Sequence, residues 1–408
     1  MASLQSLDSR DALDAPQPVV RVSTAAPLMS LTDRWLAIRN RLLASPLFQR
    51  LAASFVLTRP VAQRRARSLF DLVAGFVYSQ VLVACVRLNL FDTLAEGPQT
   101  VAALSLRLGL TEASTTRLLA AAVSLQLVQR QSGGRFGLGV LGAPLVGNHG
   151  LAALIAHHAS LYADLADPVA LLRGEAGSAQ LAQYWPYAGE QTPDRLAPEQ
   201  VMAYSALMTA SQPLVAHEIL DAYPMTRHRC LLDIGGGEGA FLMQAATRSP
   251  HLQLALFDLP AVVQRARTQL GAAGLASRSQ VTGGDFFTDA LPMGADIATL
   301  VRVVHDHDDA RVLTLLKAAH AALCPGGTLL LAEPMAATSG AEPMGDAYFG
   351  FYLLAMGRGQ PRTPEQLTVL LRQAGFGQIR LLASRMPLQT RVLLARANAS
   401  GDPRSQAA

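Results

Sequence analysis

The run Leu231-Leu232-Asp233-Ile234-Gly235-Gly236-Gly237-Glu238-Gly239 constrains this chain more than any other stretch. A strand-like segment ends in a glycine-rich turn, and a helical pattern, Ala240-Phe241-Leu242-Met243-Gln244-Ala245-Ala246, begins at once. Glycines let backbone amides approach a polar group closely, and a helix start supplies unpaired N–H donors. The stretch is a cofactor cradle of undecided class, because Gly235, Gly237 and Ala240 also satisfy the dinucleotide pattern G-x-G-x-x-A.

The residues beyond the turn narrow the fold. Strand-like runs at Cys230–Ile234, Leu252–Asp258, Gln280–Asp285, Asp296–Val304 and Thr328–Glu333 alternate with helical ones starting near Gly239, Pro260 and Asp308. That alternation predicts an α/β domain with a doubly wound parallel sheet. Pro325-Gly326-Gly327 turns the chain into the fifth strand. After a helix at Pro364–Ala374, strands at Gln378–Ser384 and Arg391–Ala395 predict an antiparallel hairpin closing one edge. An NAD-binding half-domain does not usually need that pair.

Upstream, residues 31–222 read as helical almost throughout. A short helix closed by Gly109, a second from Thr115 to Val128 and a hairpin around Ser132-Gly133-Gly134 together resemble a winged-helix unit. The second helix offers only Arg117 among Leu118, Leu119, Ala120, Ala121, Ala122, Val123 and Leu125. A helix entering a DNA groove needs several basic and polar side chains, so packing or dimerisation is expected here and no nucleic acid. The expected organisation is a disordered segment 1–30, the helical domain 31–222, a cofactor domain 223–398 and a disordered tail 399–408.

Half of the 408 residues are apolar and 16% are charged, enough for a sizeable core. Three well-separated cysteines (Cys85, Cys230, Cys324) give neither a disulfide framework nor a zinc pattern, which predicts a cytoplasmic location. No secretory signal pattern is expected in the first thirty residues, which carry Asp8, Asp11 and Asp14. The apolar run Leu72–Val86 is expected to be a buried helix of a soluble protein. Between Arg34 and Arg67, eight arginines face a single acid, Asp33, and are interleaved with Trp35, Leu36, Leu42, Leu43, Phe48, Leu51 and Phe55. Such an arm suits peripheral contact with an anionic membrane surface, here the inner membrane, contact with an acidic partner, or a solvated face packed on its own protein.

Ligands of open α/β sheets bind at the carboxyl ends of the strands. Asp258 ends the second strand, where a carboxylate can accept bonds from both ribose hydroxyls. Asp285 ends the third and can accept from an adenine amino group, with the Phe286 ring covering the purine. The fourth ends in Arg302-Val303-Val304-His305-Asp306-His307-Asp308-Asp309. Asp308 and Asp309 look like the N-terminal acids of the next helix, so no metal is expected, and His305 is the candidate general base.

These motifs, with Gly284-Asp285-Phe286-Phe287, Pro325-Gly326-Gly327 and Ala332-Glu333-Pro334, stand in the order seen in class I S-adenosylmethionine-dependent O-methyltransferases. The resemblance is to the branch with an N-terminal winged-helix-like dimerisation domain and spans roughly residues 65–396. It implies a Rossmann-like sheet, S-adenosylmethionine as methyl donor with S-adenosylhomocysteine as product, and a homodimer. By position, Asp233, Gly235 and Gly237 would meet the cofactor near its methionine moiety, Asp258 its ribose, and Asp285 with Phe286 its adenine. Met208 resembles a cofactor-proximal helix methionine, with Ser211 or Gln212 a weaker match. Arg302 resembles the basic residue before the catalytic histidine, His305 the proton acceptor, and Glu333 the acid that orients it. Two positions depart from the family pattern: His307 replaces a usual tryptophan, and Pro361 stands where plant members often carry a second acid.

The runs Phe70–Gln80, Tyr162–Pro168 and Met356–Arg362 look like the acyclic carotenoid (demethylspheroidene or hydroxyneurosporene) O-methyltransferases of purple phototrophic bacteria. The aromatic stretch Tyr348, Phe349, Phe351, Tyr352 and Met356 sits where the family builds its acceptor pocket. This narrower likeness implies methylation of a tertiary C1 hydroxyl on a hydrophobic small molecule. Rival readings are a methyltransferase for a phenol or a tetrapyrrole carbon, an NAD-dependent oxidoreductase, and a winged-helix regulator.

Overall fold

The computed structural model describes residues 30–184 except 176 and 178, 212–386 except 214, and 390–398. The expected disorder at both termini, Met208 and Ser211 therefore lie outside the described residues. The chain divides into two units, Met1–Tyr78 and Ser79–Ala408.

The first unit holds α1 (Leu31–Ala44), α2 (Pro46–Ser54) and most of α3 (Arg59–Arg87), the unit boundary falling inside α3. Ser30 and Asp33 form a capping box on α1, and Ser45 both ends α1 and caps α2 through the Phe48 N–H. Neither α1 nor α2 has a buried residue. The expected buried helix at Leu72–Val86 is corrected: it is the second half of the 29-residue α3, whose only buried residues are Val83 and Cys85. Leu72, Val73, Phe76 and Val77 are exposed. By length and composition α3 could cross a membrane, which equally suits a helix that pairs with a second copy.

The second unit opens with helices Leu90–Ala95, Val101–Leu108 and Glu112–Ser124. Gly109 ends the second of these in the left-handed region (φ +65°), and Thr111 caps the third by accepting the Ser114 N–H at 3.1 Å. The third helix starts and stops earlier than the sequence suggests: Gln126 turns left-handed (φ +59°) and the chain enters a strand. The region is not all-helical. β1 (Gln99–Thr100), β2 (Val128–Gln131) and β3 (Arg135–Leu138) form an antiparallel sheet in the order β1-β3-β2. Leu104, Leu119, Val128 and Phe136 pack beneath it with Cys85, Leu90 and Phe91, so the third helix spends its apolar face on a core.

The large sheet comprises β4 (Cys230–Ile234), β5 (Gln253–Asp258), β6 (Ser279–Gly283), β7 (Ala295–Val301), β8 (Leu323–Glu333), β9 (Phe376–Leu381) and β10 (Arg391–Ala397), in the order β6-β5-β4-β7-β8-β10-β9. The first five are parallel, and β10 pairs antiparallel with both β8 and β9. Both faces are covered. Leu232 and Ile234 of β4 pack with helices Asp309–Ala322 and Pro364–Gln373, whereas Leu231 packs with helices Ala240–Arg248 and Pro260–Ala272. That two-sided burial explains the near-continuous apolar runs of the parallel strands.

Two strand ends beside the site differ from the sequence reading. β6 stops at Gly283, leaving Asp285 in the following turn. β7 stops at Val301, because Arg302 adopts a left-handed backbone (φ +56°) and bends the chain away. His305 therefore stands on a short 3-10 turn, Val304–Asp306, beyond the strand.

Candidate active site

Strand order reverses between β4 and β7, and the residues expected at the cofactor gather at the carboxyl ends of the strands flanking that point. In the turn after β4, Gly235 (φ +70°) and Gly237 (φ +58°) use backbone conformations costly to other residues. A Cβ at Gly236 would stand 2.7 Å from Asp233 Oδ2, whereas one at Gly237 would meet nothing within 4 Å. Asp233 thus lies against the turn from inside. It is 1% exposed, its Oδ1 accepts the Thr299 hydroxyl at 2.6 Å, and its Oδ2 has no hydrogen-bond partner. Burial pushes Asp233 up to about 7, against the opposing effect of the Thr299 bond.

Asp258 ties the end of β5 to the same turn. Its carboxylate accepts the N–H groups of Gly237 and Leu259, both at 2.7 Å. Burial raises it to about 6, the two backbone bonds working the other way. Asp285 is fixed locally, its Oδ1 accepting the Phe287 N–H at 2.9 Å and its own N–H donating to Asp289 at 2.8 Å. Phe286 packs edge-on against Phe287 at 4.7 Å between ring centres. Arg302 donates to Gln212, one of the two weaker sequence matches beside Met208. S-adenosylmethionine fits this set: an open backbone at Gly237, acids at Asp258 and Asp285, and a half-buried ring at Phe286.

At the mouth, the His305 Nδ1–H donates to Glu333 Oε2, while Glu333 Oε1 accepts the N–H groups of Val303 at 3.0 Å and Val304 at 2.7 Å. On the other side Asp306 Oδ1 stands 3.1 Å from His305 Nε2, an ion contact in which that oxygen makes no hydrogen bond. Burial opposes charge on the imidazole, but Asp306 and Glu333 together outweigh it and push His305 up to about 10. His307 behaves in the opposite sense: burial lowers it to about 4. The neutral ring packs edge-on against Phe287 at 4.9 Å and Phe286 at 5.8 Å, an aromatic role that suits a position where tryptophan is usual. Among the described residues no cluster of His, Cys, Asp and Glu could hold a metal ion.

Sequence reasoning missed the clamp behind this loop. Arg362 is buried, and its guanidinium donates to Val304 O at 3.1 Å, His307 O at 2.7 Å and Asp309 Oδ1 at 2.7 Å. Gly359 (φ +87°) lets the same segment lie against the loop, since a Cβ there would stand 2.2 Å from His305 O. The glycine spacing in Gly357-Arg358-Gly359 was the available signal.

Beside His305 stands an aromatic wall. The Phe349 ring centre is 6.2 Å from that of His305, and Tyr348 and Tyr352 follow on the same helical segment. Their hydroxyls meet His158 and His157 respectively, each at 2.9 Å. Burial, with the neighbouring His158, lowers His157 to about 4, so this layer is uncharged at neutral pH at that position. A separate cavity of about 590 Å³, lined by Tyr223, His228, Asp296, Cys324 and Arg396, opens at the opposite ends of the strands and contains none of these residues.

Comparison with known proteins agrees with this geometry. An O-methyltransferase domain matches residues 162–377 and an O-methyltransferase dimerisation domain residues 70–147. The chain is 43% identical over 350 residues to the demethylspheroidene O-methyltransferase of Cereibacter sphaeroides, covering 85% of this chain and 91% of that one. It is 38% identical to the Rhodobacter capsulatus protein of the same name, covering 88% and 87%. Human N-acetylserotonin methyltransferase, solved with S-adenosylmethionine, superposes with a TM-score of 0.67 at 25% identity over 82% of this chain and 98% of that one. The dimerisation match begins within the exposed half of α3 and supports a homodimer. The chain belongs to the S-adenosylmethionine-dependent O-methyltransferases that carry an N-terminal dimerisation domain.

Proposed function

We propose that the acceptor is the tertiary C1 hydroxyl of an acyclic carotenoid of the demethylspheroidene or hydroxyneurosporene kind. The observation that carries this reading is the aromatic wall of Phe349, Tyr348 and Tyr352 directly beside His305. The names of the two relatives above point the same way. In this reading residues 31–222 form the dimerisation and pocket domain and residues 223–398 hold the cofactor. The reading includes a cytoplasmic location with peripheral contact at the inner membrane, supported by free Cys85, Cys230 and Cys324 and by an acceptor that dissolves in lipid.

S-adenosylmethionine, when bound, supplies a methyl group on a positive sulfur. The chain's part is first to hold the hydroxyl oxygen in line with that carbon, the source of much of the rate in such transfers. Glu333 fixes the imidazole through Nδ1, so Nε2 is the atom available to the hydroxyl once it takes the place of Asp306. A tertiary alcohol is too weak an acid to ionise beforehand, so Nε2 of the neutral imidazole takes the proton during or after transfer. Asp306 and Glu333 raise that imidazole to about 10, so the neutral form that accepts the proton is reached as pH rises.

Incubation with S-adenosylmethionine and a 1-hydroxylated acyclic carotenoid in detergent, followed by mass analysis, is expected to show one added methyl. Methylation of phenols under conditions that leave the carotenoid untouched would overturn the acceptor assignment.

A further inference from the structure

The arm formed by α1, α2 and the first turns of α3 lies outside both matched domains, which begin at residues 70 and 162. Its apolar residues fall on ordered stripes. Leu31, Trp35, Ile38 and Leu42 recur every three or four residues along α1, and Leu47, Leu51 and Phe55 recur every four along α2; all are exposed. Helices of 14 and 9 residues are marginal in water unless an apolar face is buried. These two are nonetheless well capped and joined, with Gln49 Nε2 donating to Leu43 O at 2.8 Å, Thr58 Oγ1 to Ala52 O at 2.7 Å and Arg59 to Ala53 O at 3.2 Å. The arm is built to be helical, and among the described residues its stripes stay exposed.

Its charge selects the occupant. Arg34, Arg39, Arg41, Arg50, Arg59, Arg64, Arg65 and Arg67 are all exposed, and Asp33 is the one acid between Leu31 and Arg67. Arg39 lies over the Trp35 ring at 5.4 Å, so the charge stands next to the ring that would sit at a lipid headgroup level. A second copy of the same arm would bring arginine against arginine. We propose that α1 and α2 lie in the surface of an anionic bilayer, with Leu31, Trp35, Ile38, Leu42, Leu47 and Leu51 immersed and the arginines on headgroup phosphates. This deepens the location proposed above by naming the surface and the lipid charge. The arm then anchors the enzyme where an apolar acceptor is dissolved, while α3 from residue 70 onward remains with the dimer.

The test uses the full chain in a Trp185→Phe background, so that Trp35 is the only tryptophan. With vesicles of phosphatidylcholine mixed with phosphatidylglycerol, the protein is expected to co-sediment and Trp35 emission to shift to the blue. Phosphatidylcholine alone should do neither, and high salt should release the protein. The variant R34Q/R39Q/R41Q/R50Q should bind the mixed vesicles more weakly by on the order of tenfold or more. It should keep its dimer on size exclusion and its methyl transfer in detergent micelles. Equal binding to both vesicles overturns the proposal, as does a monomeric arm variant, which would make the arm part of the dimer. Retention through salt and carbonate also overturns it, in favour of a spanning α3. Methyl transfer in micelles is read alongside, so failure of the acceptor assignment shows there and not in the vesicle experiment.

Discussion

Glu333 holds His305 with one carboxylate oxygen and holds the backbone of the catalytic loop with the other. Oε2 accepts from His305 Nδ1, and Oε1 accepts from the Val303 and Val304 N–H groups. One buried side chain at the end of β8 thus sets both the tautomer of the base and the position of the turn that carries it.

Glu333→Gln separates those two duties. A glutamine oxygen can still accept from Val303 and Val304, but its amide NH2 then faces Nδ1 and the negative charge is gone. Turnover is expected to fall by roughly 10²-fold or more, within the range of general-base contributions. Affinity for S-adenosylhomocysteine, measured by calorimetry, should stay within a few-fold of the parent. A comparable loss of both would show that Glu333 supports the whole sheet end rather than the base.

The basicity of His305 gives a pH signature with a definite sign. Its folded value is raised to about 10, above the ordinary ~6.5. The imidazolium in its acidic pocket therefore contributes stability that is fully present below about pH 6.5 and is lost as pH rises through about 10. In thermal melts, the gap between the parent and His305→Asn should narrow across that window. With the neutral ring as the proposed working form, turnover should climb over the same range. In Asp306→Asn the climb should begin at lower pH, since a neighbouring negative charge has been removed; an unmoved profile would clear Asp306 of any influence on the base.

The sheet was legible in the sequence, and so was the candidate base, because both readings rest on local pattern. Glycines after an apolar run and acids at strand ends are readable one element at a time. The exposure of α3 was not legible, because burial depends on what packs opposite and not on the apolar run itself, and Leu72 and Val73 are exposed. Nor was the clamp by Arg362, whose three acceptors lie more than fifty residues upstream. The left-handed backbone at Arg302 also escaped notice, since arginine carries no signal for it, and it is what takes His305 off the strand.

Asp233 offers a second titration, independent of the base. Burial raises its folded value to about 7, so its proton is held more tightly folded than unfolded. Stability is then lost as pH rises from about 4 through about 7. The amide introduced by Asp233→Asn cannot ionise and can still accept the Thr299 hydroxyl. Melts from pH 5 to about pH 8 should show the parent falling relative to this variant; parallel curves would mean that Asp233 stays ionised throughout.

Gly359→Ala tests how closely the segment before Arg362 must approach the catalytic loop. The added carbon would stand 2.2 Å from the His305 carbonyl at a left-handed backbone position, so the two strands of chain must separate. A displacement of this kind near reacting groups can cost on the order of 10²-fold in rate. The expected result is a fall in kcat with the cofactor Kd little changed. Parent-like kcat would show that the loop tolerates the shift.

Arg362→Met tests the clamp itself. Methionine fills much of the same volume but leaves the Val304 and His307 carbonyls without the guanidinium and frees Asp309. A buried acceptor stripped of its donor costs about 1–3 kcal/mol, so the unfolding free energy should fall by about 2–6 kcal/mol if both carbonyls find no water. Arg362→Lys should recover little, because an ammonium cannot span two carbonyls and a carboxylate in the plane that a guanidinium covers. The decisive readout is the pH profile of turnover. If Arg362 positions the loop, the inflection assigned to His305 moves as its distance to Asp306 and Glu333 changes; if it only adds stability, kcat at each pH scales with the folded fraction and the inflection stays where it was.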